Sequence, residues 1–595
     1  MLLGMRSALL GSVPALNLPF ALTGTLDPRI TFSRPSLATM YDSTGKLTYA
    51  PNNLLLHSNT FTNAVWTKTN SPTLLAGVAD PVGGTAATRI TTTANDTFLY
   101  NSVTAQTGVS TLSSIWVRRV SGSGQVILFT TISNVGSVIT PTSTWAQYST
   151  SGPISTGTDV YCGLIVATAG DVLEVYAATA SVTTYETAPR TADQVITTSA
   201  AYYGPRFDYN PATLVARGLL IEEARTNICL RSQEMDNASW IAVSASVTPN
   251  ALTAPDGTTS AEKIIENSLN ATHYIYQSIT FTTAAYTLSV YAKAGERSWL
   301  RFRYDGGIEV ATYFNLATGT IGTVGASHTA TMTAVGNGWY RCTVTRTATA
   351  GTEYIVIGPT TGDAVSSYLG DGVSGIYAWG SQAELGSFAT SYIPTAASAI
   401  ARSADSVSMT GTNFSSWYNQ TQGTFVVNSS TFRAAGSSYG SIIEPNDGTA
   451  SNRISLGNVG VSGYQEVQAS GAQQALWNEG TANNNNAYAS NASVKLALAY
   501  ATNDANRALD GTLGTTDATF TPPVVNRMDI GSDFATRRLN GHIASLAYYN
   551  TRLPNATLQS LTLPVIADYY FLVTAGGDQL TDASGNALYT IPLYS

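Results

Sequence analysis

The chain has 595 residues, too many for a single hydrophobic core, and its length sets an expectation of three or four domains. Only 11% of the residues are charged, against about 25% in an ordinary soluble domain, and 32 tyrosines with abundant Thr and Val favour strands over exposed helices. A net charge of −8 without basic clusters gives no footprint for nucleic acid and no basic amphipathic surface for membrane insertion.

Residues 1–25 begin with Arg6 and an apolar stretch that mimics a secretory signal, but Pro14, Asn17 and Pro19 interrupt it. We expect an N-terminal docking peptide there. Residues 26–52 read as a small, turn-rich β connector with an Arg-bearing strand. At Asn53 the chain enters NLLLHSNTFTNAVW, and a close variant, NICLRSQEMDNASW, returns at Asn227. Holding that offset, Pro81, Gly83, Thr85, Ala87 and Ile90 match Pro255, Gly257, Thr259, Ala261 and Ile264. Landmarks in one order over so long a span predict a duplicated domain rather than a solenoid. We therefore expect one module over 53–195, a second connector over 196–226, and a second module over 227–407.

Period-2 alternation in YTLSVYAKA, SWLRFRYDG, GWYRCTVTRT and EYIVIG predicts short strands separated by Gly, Asn and Asp turns. The fold class expected is all-β, with tandem β-sandwich or jelly-roll domains joined by small β connectors. In both copies of the repeated phrase a Trp (Trp66, Trp240) follows the apolar strand at the same distance, which marks it as a core plug. A third sandwich is expected over 408–565, closing with a strand in LNGHIASLAYYN and a short helix; 566–595 form a tail with apolar strand material that could pair with a neighbouring chain.

Chemical motifs are sparse. There is no G-x-S-x-G elbow, H-E-x-x-H pair or Walker A loop, and the four histidines have no metal-ligand spacing. Three cysteines far apart give no disulfide framework, and alternation turns Cys342 towards a core with Tyr340 and Val344. Glu222 and Glu223 form the adjacent acidic pair, but neighbours in a strand point to opposite faces, so they are expected as ion-pair partners of Arg225 or of connector arginines. An enzyme is not expected. The sharpest binding candidate is ERSWLRFRYDGG, where Trp299, Arg301, Arg303 and Asp305 share one strand face and Leu300, Phe302 and Tyr304 share the other. An indole for a sugar ring to stack on, beside cationic donors, suits a glycan, and Tyr313 could extend the face. The competing reading is that carboxylates on the next strand neutralise the arginines. Trp477 and the Asn483 loop are the candidates in the third sandwich.

The strings ITFSRPSLATMYDSTGKLTYAPNNLL and PRFDYNPATLVARGLLIEEARTN, with the N-L-L…W phrase, resemble bacteriophage virion proteins of the tail-fibre or head-fibre type. The two repeats resemble carbohydrate-binding-module jelly rolls through that phrase and through Gly338-Trp339-Tyr340-Arg341. The stretch from about 410 resembles a concanavalin-A/laminin-G-like sandwich through its ALDG turn (508–511) and LNGHIASLAYYN (539–550). The resemblance implies a virion-surface spike that meets host-cell polysaccharide. It implies contacts with other virion proteins, capsid or tail, through the N-terminus, homotrimeric assembly, and a structural calcium in either module type. A tailspike depolymerase or a purely structural decoration protein are the alternatives.

Overall fold

The structure, a computed structural model, describes residues 13–104, 110–130, 136–152, 159–183, 190, 192, 194–305, 310–433, 439–459, 462–478, 491–534, 537–564, 570–571 and 589–590. The alternating strings do form strands, which take 52% of the chain against about 3% helix. The fold is all-β, with antiparallel pairing throughout three sandwiches.

The first sandwich stacks two five-stranded sheets. One runs in the order Ala146–Gly152, Ser110–Ser121, Val172–Thr183, Ala87–Thr91, Thr73–Val78; the other runs Gly136–Ile139, Val126–Phe129, Asp159–Val166, Thr97–Thr104, Trp66–Lys68. The second sandwich repeats this order strand for strand. Its sheets are Trp339–Thr347, Ala285–Ala294, Gly375–Leu385, Thr259–Glu266, Ala245–Thr253, and Ala311–Asn315, Trp299–Asp305, Gly351–Thr360, Tyr274–Phe281, Ile241–Val243. Each gains one outer strand, Thr329–Ala334 and Thr320–Ile321 respectively.

The repeated phrase has a physical reason. The Asn53 side chain is fully buried and makes four hydrogen bonds: Nδ2 donates to the Ala178 and Val195 carbonyls, and Oδ1 accepts from the Leu55 and Ala180 amides. Asn227 does the same with Ser381, Ile393, Cys229 and Ala383. Only a primary amide offers two donors and two acceptor sites in one plane, so it can tie three separate stretches of backbone inside a core. Thirteen residues on, Trp66 and Trp240 are buried, and each indole N–H donates to the carbonyl nine residues back, His57 at 2.9 Å and Arg231 at 3.2 Å. The Ser58–Thr197 and Ser232–Thr395 clamps are likewise duplicated.

The third sandwich corrects the reading of the connectors. Its larger sheet runs Phe207–Tyr209, Ala216–Ile221, Gly541–Tyr549, Gln422–Thr431, Val494–Ala501, Asp504–Leu509, Thr512–Leu513, so the second connector supplies the two outermost strands on one side, Phe207–Tyr209 being the edge. Leu16–Leu18 pairs with the same Gly541–Tyr549 strand, and Thr31–Ser33 forms the edge of the opposite sheet beside Ser406–Thr410. Leu16, Leu18 and Phe20 are buried among Leu546, Tyr548 and Trp417. The segment read as a docking peptide is, from Leu16 on, a strand of this sandwich, because its in-out-in pattern buries two leucines against an open edge; residues 1–12 lie outside the described residues. The helix Asn555–Thr562 follows the closing strand as expected.

The leaders meet the second module at a buried ion cluster. Arg206 bridges Glu222 and Asp405, Arg34 reaches Asp405 at 2.9 Å, and Arg402 reaches Glu222, all with side chains almost wholly shielded from solvent. Burial alone would raise the Glu222 carboxyl, but Arg402 and Arg206 outweigh it and hold it well below the usual carboxylate range. Glu223 takes Arg225, so the adjacent acidic pair is bound up in ion pairs, as its position suggested.

Candidate functional site

Three cysteines, all buried and unpaired, offer no reactive thiol, and burial pushes the Cys162 and Cys229 thiols up to about 12. Among the described residues no three His, Cys, Asp or Glu side chains gather as a metal site, and no helix is long and apolar enough to cross a membrane. The feature that stands out is one sheet face of the second sandwich.

In the strand Trp299–Asp305 the alternation holds. Leu300, Phe302 and Tyr304 are fully buried in the core with Ile275, Ile355 and Ile357. Trp299, Arg301 and Arg303 therefore turn to the outer face, opposite Asn315, Tyr313 and Ala311 on one side and Thr360, Gly358 and Val356 on the other. One strand further, Tyr276 stands opposite Val356, and Tyr354 stands opposite Ser278. The result is a connected ladder. The Tyr274 and Tyr276 rings are 6.2 Å apart, Tyr276 meets Tyr354 edge-on at 5.5 Å, and the Arg303 guanidinium lies 5.6 Å over the Tyr274 ring. All four side chains are half-buried, each keeping part of its surface open.

The face is not as flat or as open as the sequence suggested. Arg301 is only 2% exposed and Tyr313 only 7%, so both sit beneath the surface and cannot reach far out as contact residues. Tyr313 lies directly beside Arg301. Trp299 is half-buried, and its indole packs against Gly322, where a Cβ would come within 2.7 Å of the ring; Asp363, which accepts from the Thr323 amide at 2.7 Å, borders the same spot. Asp305 closes the strand opposite Tyr354, though its side chain is outside the described residues. Arg297, from the same motif, is a structural residue: it is held by Glu266 and Asp371.

The remaining candidates lie elsewhere. Trp477 belongs to the third sandwich, where its indole N–H donates to the Thr515 carbonyl and its ring leans on the core, so it does not join the face. Asn483 lies outside the described residues. The GW-R string proves to be scaffold: Trp339 is buried and donates to the Thr253 carbonyl, while Arg341 is fixed by the Thr390 carbonyl and Ser289. Sequence reasoning missed Tyr274, Tyr276 and Tyr354, although the alternation of Tyr with Ile in HYIYQ and EYIVIG carried the signal.

No family model matches the chain, and no curated protein matches it. Solved structures do. The Ruminococcus gnavus IT-sialidase CBM40 bound to α2,3 sialyllactose is 14% identical, covering 25% of this chain and 87% of its own, with a TM-score of 0.22. The CBM22-1–CBM22-2 tandem domain of Paenibacillus barcinonensis Xyn10C is 13% identical over 57% of this chain and 99% of its own, with a TM-score of 0.19. Trypanosoma rangeli sialidase is 10% identical over 90% of this chain and 98% of its own, with a TM-score of 0.21. Likeness at this level does not say what the present chain binds.

Proposed function

We propose that the second sandwich is a saccharide-binding module and that the chain is a spike or fibre component of a phage particle, exposed on the virion surface, which adheres to host polysaccharide. The observation that carries the binding reading is the ladder of Tyr274, Tyr276 and Tyr354 with Arg303 on an outer sheet face. Such faces are normally polar and solvated. Half-exposed rings in a row offer apolar area to the C–H faces of sugars, and the phenol hydroxyls serve as donors and acceptors for hydroxyl groups. Arg303, with the buried charge of Arg301 behind it, favours a sugar that bears a carboxylate or another acidic group. The virion role rests on the leader strings and their resemblance, and three-fold assembly and contacts with capsid or tail proteins belong to the same reading. Multiple copies on one particle would raise the avidity of a shallow site.

Affinity electrophoresis through gels containing host polysaccharide tests the binding reading. Retardation should weaken about tenfold in apparent affinity for Tyr276→Ala or Arg303→Ala, with melting temperature measured alongside. Unaltered retardation in both variants would move the site off this face. Shortening of the polysaccharide during incubation would instead point to a depolymerase.

A further inference from the structure

The strand registers of the two sandwiches can be laid on one another. Asn101 and Gln277 hold equivalent places: each side-chain amide donates to the backbone carbonyl of the repeated phrase, Leu56 in the first copy and Leu230 in the second. Counting along the paired strands from that anchor, Phe98 and Tyr100 take the places of Tyr274 and Tyr276. Cys162 stands opposite Asn101 as Ile355 stands opposite Gln277, so Tyr161 takes the place of Tyr354. The aromatic ladder is therefore present twice. Tyr100 meets Tyr161 edge-on at 5.8 Å, close to the 5.5 Å of its counterpart.

The cationic half of the face is not present twice. Phe129 pairs with Gly163 as Arg303 pairs with Val356, which puts Phe129 where the second copy has Arg303 and Ile127 where it has Arg301. The Phe129 ring wedges between Phe98 and Tyr100, at 6.1 and 6.0 Å. Gly163 makes the room: a Cβ there would sit 2.4 Å from Tyr100 and 2.8 Å from the Phe129 ring.

Resting on the reading of the second sandwich as a saccharide binder, we infer that the first sandwich carries a second saccharide platform on the equivalent face, and that its ligand is a neutral sugar chain. The half-buried Phe98, Tyr100 and Tyr161 rings supply the stacking surface, Phe129 lies beneath them with 1% of its surface exposed, and none of the equivalent positions supplies a cation. Charge complementarity thus divides the two faces: an acidic sugar gains from Arg303, while on the Phe98, Tyr100 and Tyr161 rings it would lose hydration without a compensating partner. One chain would then read two different features of a mixed polysaccharide coat.

The test uses the full-length protein on immobilised neutral glucans, galactans and mannans, and on uronic-acid polymers. Retention on at least one neutral polymer should persist as ionic strength is raised, because no ion pair is screened. It should fall about tenfold in Tyr100→Ala/Tyr161→Ala and remain in Tyr276→Ala/Arg303→Ala, with the reverse pattern and strong salt sensitivity on the acidic polymer. Arg303→Phe, which copies the first face onto the second, should abolish the salt-sensitive component without depending on the fold of the first sandwich. Acidic retention with no neutral retention on any polymer would overturn this inference and leave the second face standing. Neutral retention lost only with the second-face variants would also overturn it. No retention on either class would overturn both readings.

Discussion

Replacing Asn227 with alanine tests the explanation of the repeated phrase. The variant leaves the Ser381 and Ile393 carbonyls and the Cys229 and Ala383 amides without their partner, inside a core where Asn227 itself is fully buried. At about 1–2 kcal/mol for each buried group left unsatisfied, the loss is about 4–8 kcal/mol. That is comparable to the whole stability of a typical domain, about 5–15 kcal/mol, so the second sandwich should sit near or beyond its limit. Asn53→Ala should produce the same loss in the first sandwich, since its four bonds are the same. Urea unfolding followed by peptide-level hydrogen exchange assigns each loss to its own sandwich. Asn227→Asp keeps the two acceptor contacts but forfeits both donations, and should also be severely destabilised. A loss below about 1 kcal/mol in either alanine variant would refute the idea that this amide holds the strands together.

Trp240→Ala should cost about 3–5 kcal/mol, read from the same urea curves, because the ring is buried and its N–H is paired. Glu222→Gln strips a carboxylate from between Arg206 and Arg402, and a loss of about 3–5 kcal/mol should appear as a lower melting temperature shared by the second and third sandwiches. Burial, and then the neighbouring Asp236 carboxyl, push the Glu262 side chain up to about 9. Its folded pKa lies above its unfolded value of 4.5, so the folded state binds the extra proton, and stability should fall as pH rises from about 4.5 to about 9. Glu262→Gln should flatten that part of the profile of melting temperature against pH. Deleting residues 1–20 removes Leu16 and Leu18 from the Gly541–Tyr549 edge, and limited proteolysis should then cut first in the third sandwich.

What the sequence disclosed follows the range of the interactions. Alternation along one strand is local, so the split of Trp299, Arg301 and Arg303 from Leu300, Phe302 and Tyr304 was legible. Recurrence was legible too, and it marked Asn53 and Asn227 without revealing that each spans backbone segments more than 120 residues away. Burial across the sheet was not. Arg301 looked solvent-facing because a single strand does not disclose how deeply its neighbours, Tyr313 and Gly358, sink it. Nor could any local pattern show that Thr31–Ser33 or Ala216–Ile221 belong to the last sandwich, since a short strand reads alike whichever sheet receives it. The tyrosine ladder was legible in principle; it was overlooked because the tyrosines are shared between two strands about 80 residues apart.

The completion of the third sandwich by early strands bears on how the chain is made. Leu16–Leu18 leaves the ribosome more than 500 residues before its partner Leu546–Tyr548. At about 5–20 residues per second, that is an interval of roughly half a minute to two minutes. In that time the two jelly rolls can close, each from contiguous sequence, while Leu16–Leu18 stands without its partner. Such unpaired edges invite pairing with another nascent chain. The charged leaders can offset this hazard, because Asp405, the partner of Arg34 and Arg206, is synthesised at the end of the second module and before the closing strand. A ribosome that stops before residue 541 therefore releases a chain in which Leu16–Leu18 is still unpaired, and quality-control proteases would meet that strand first.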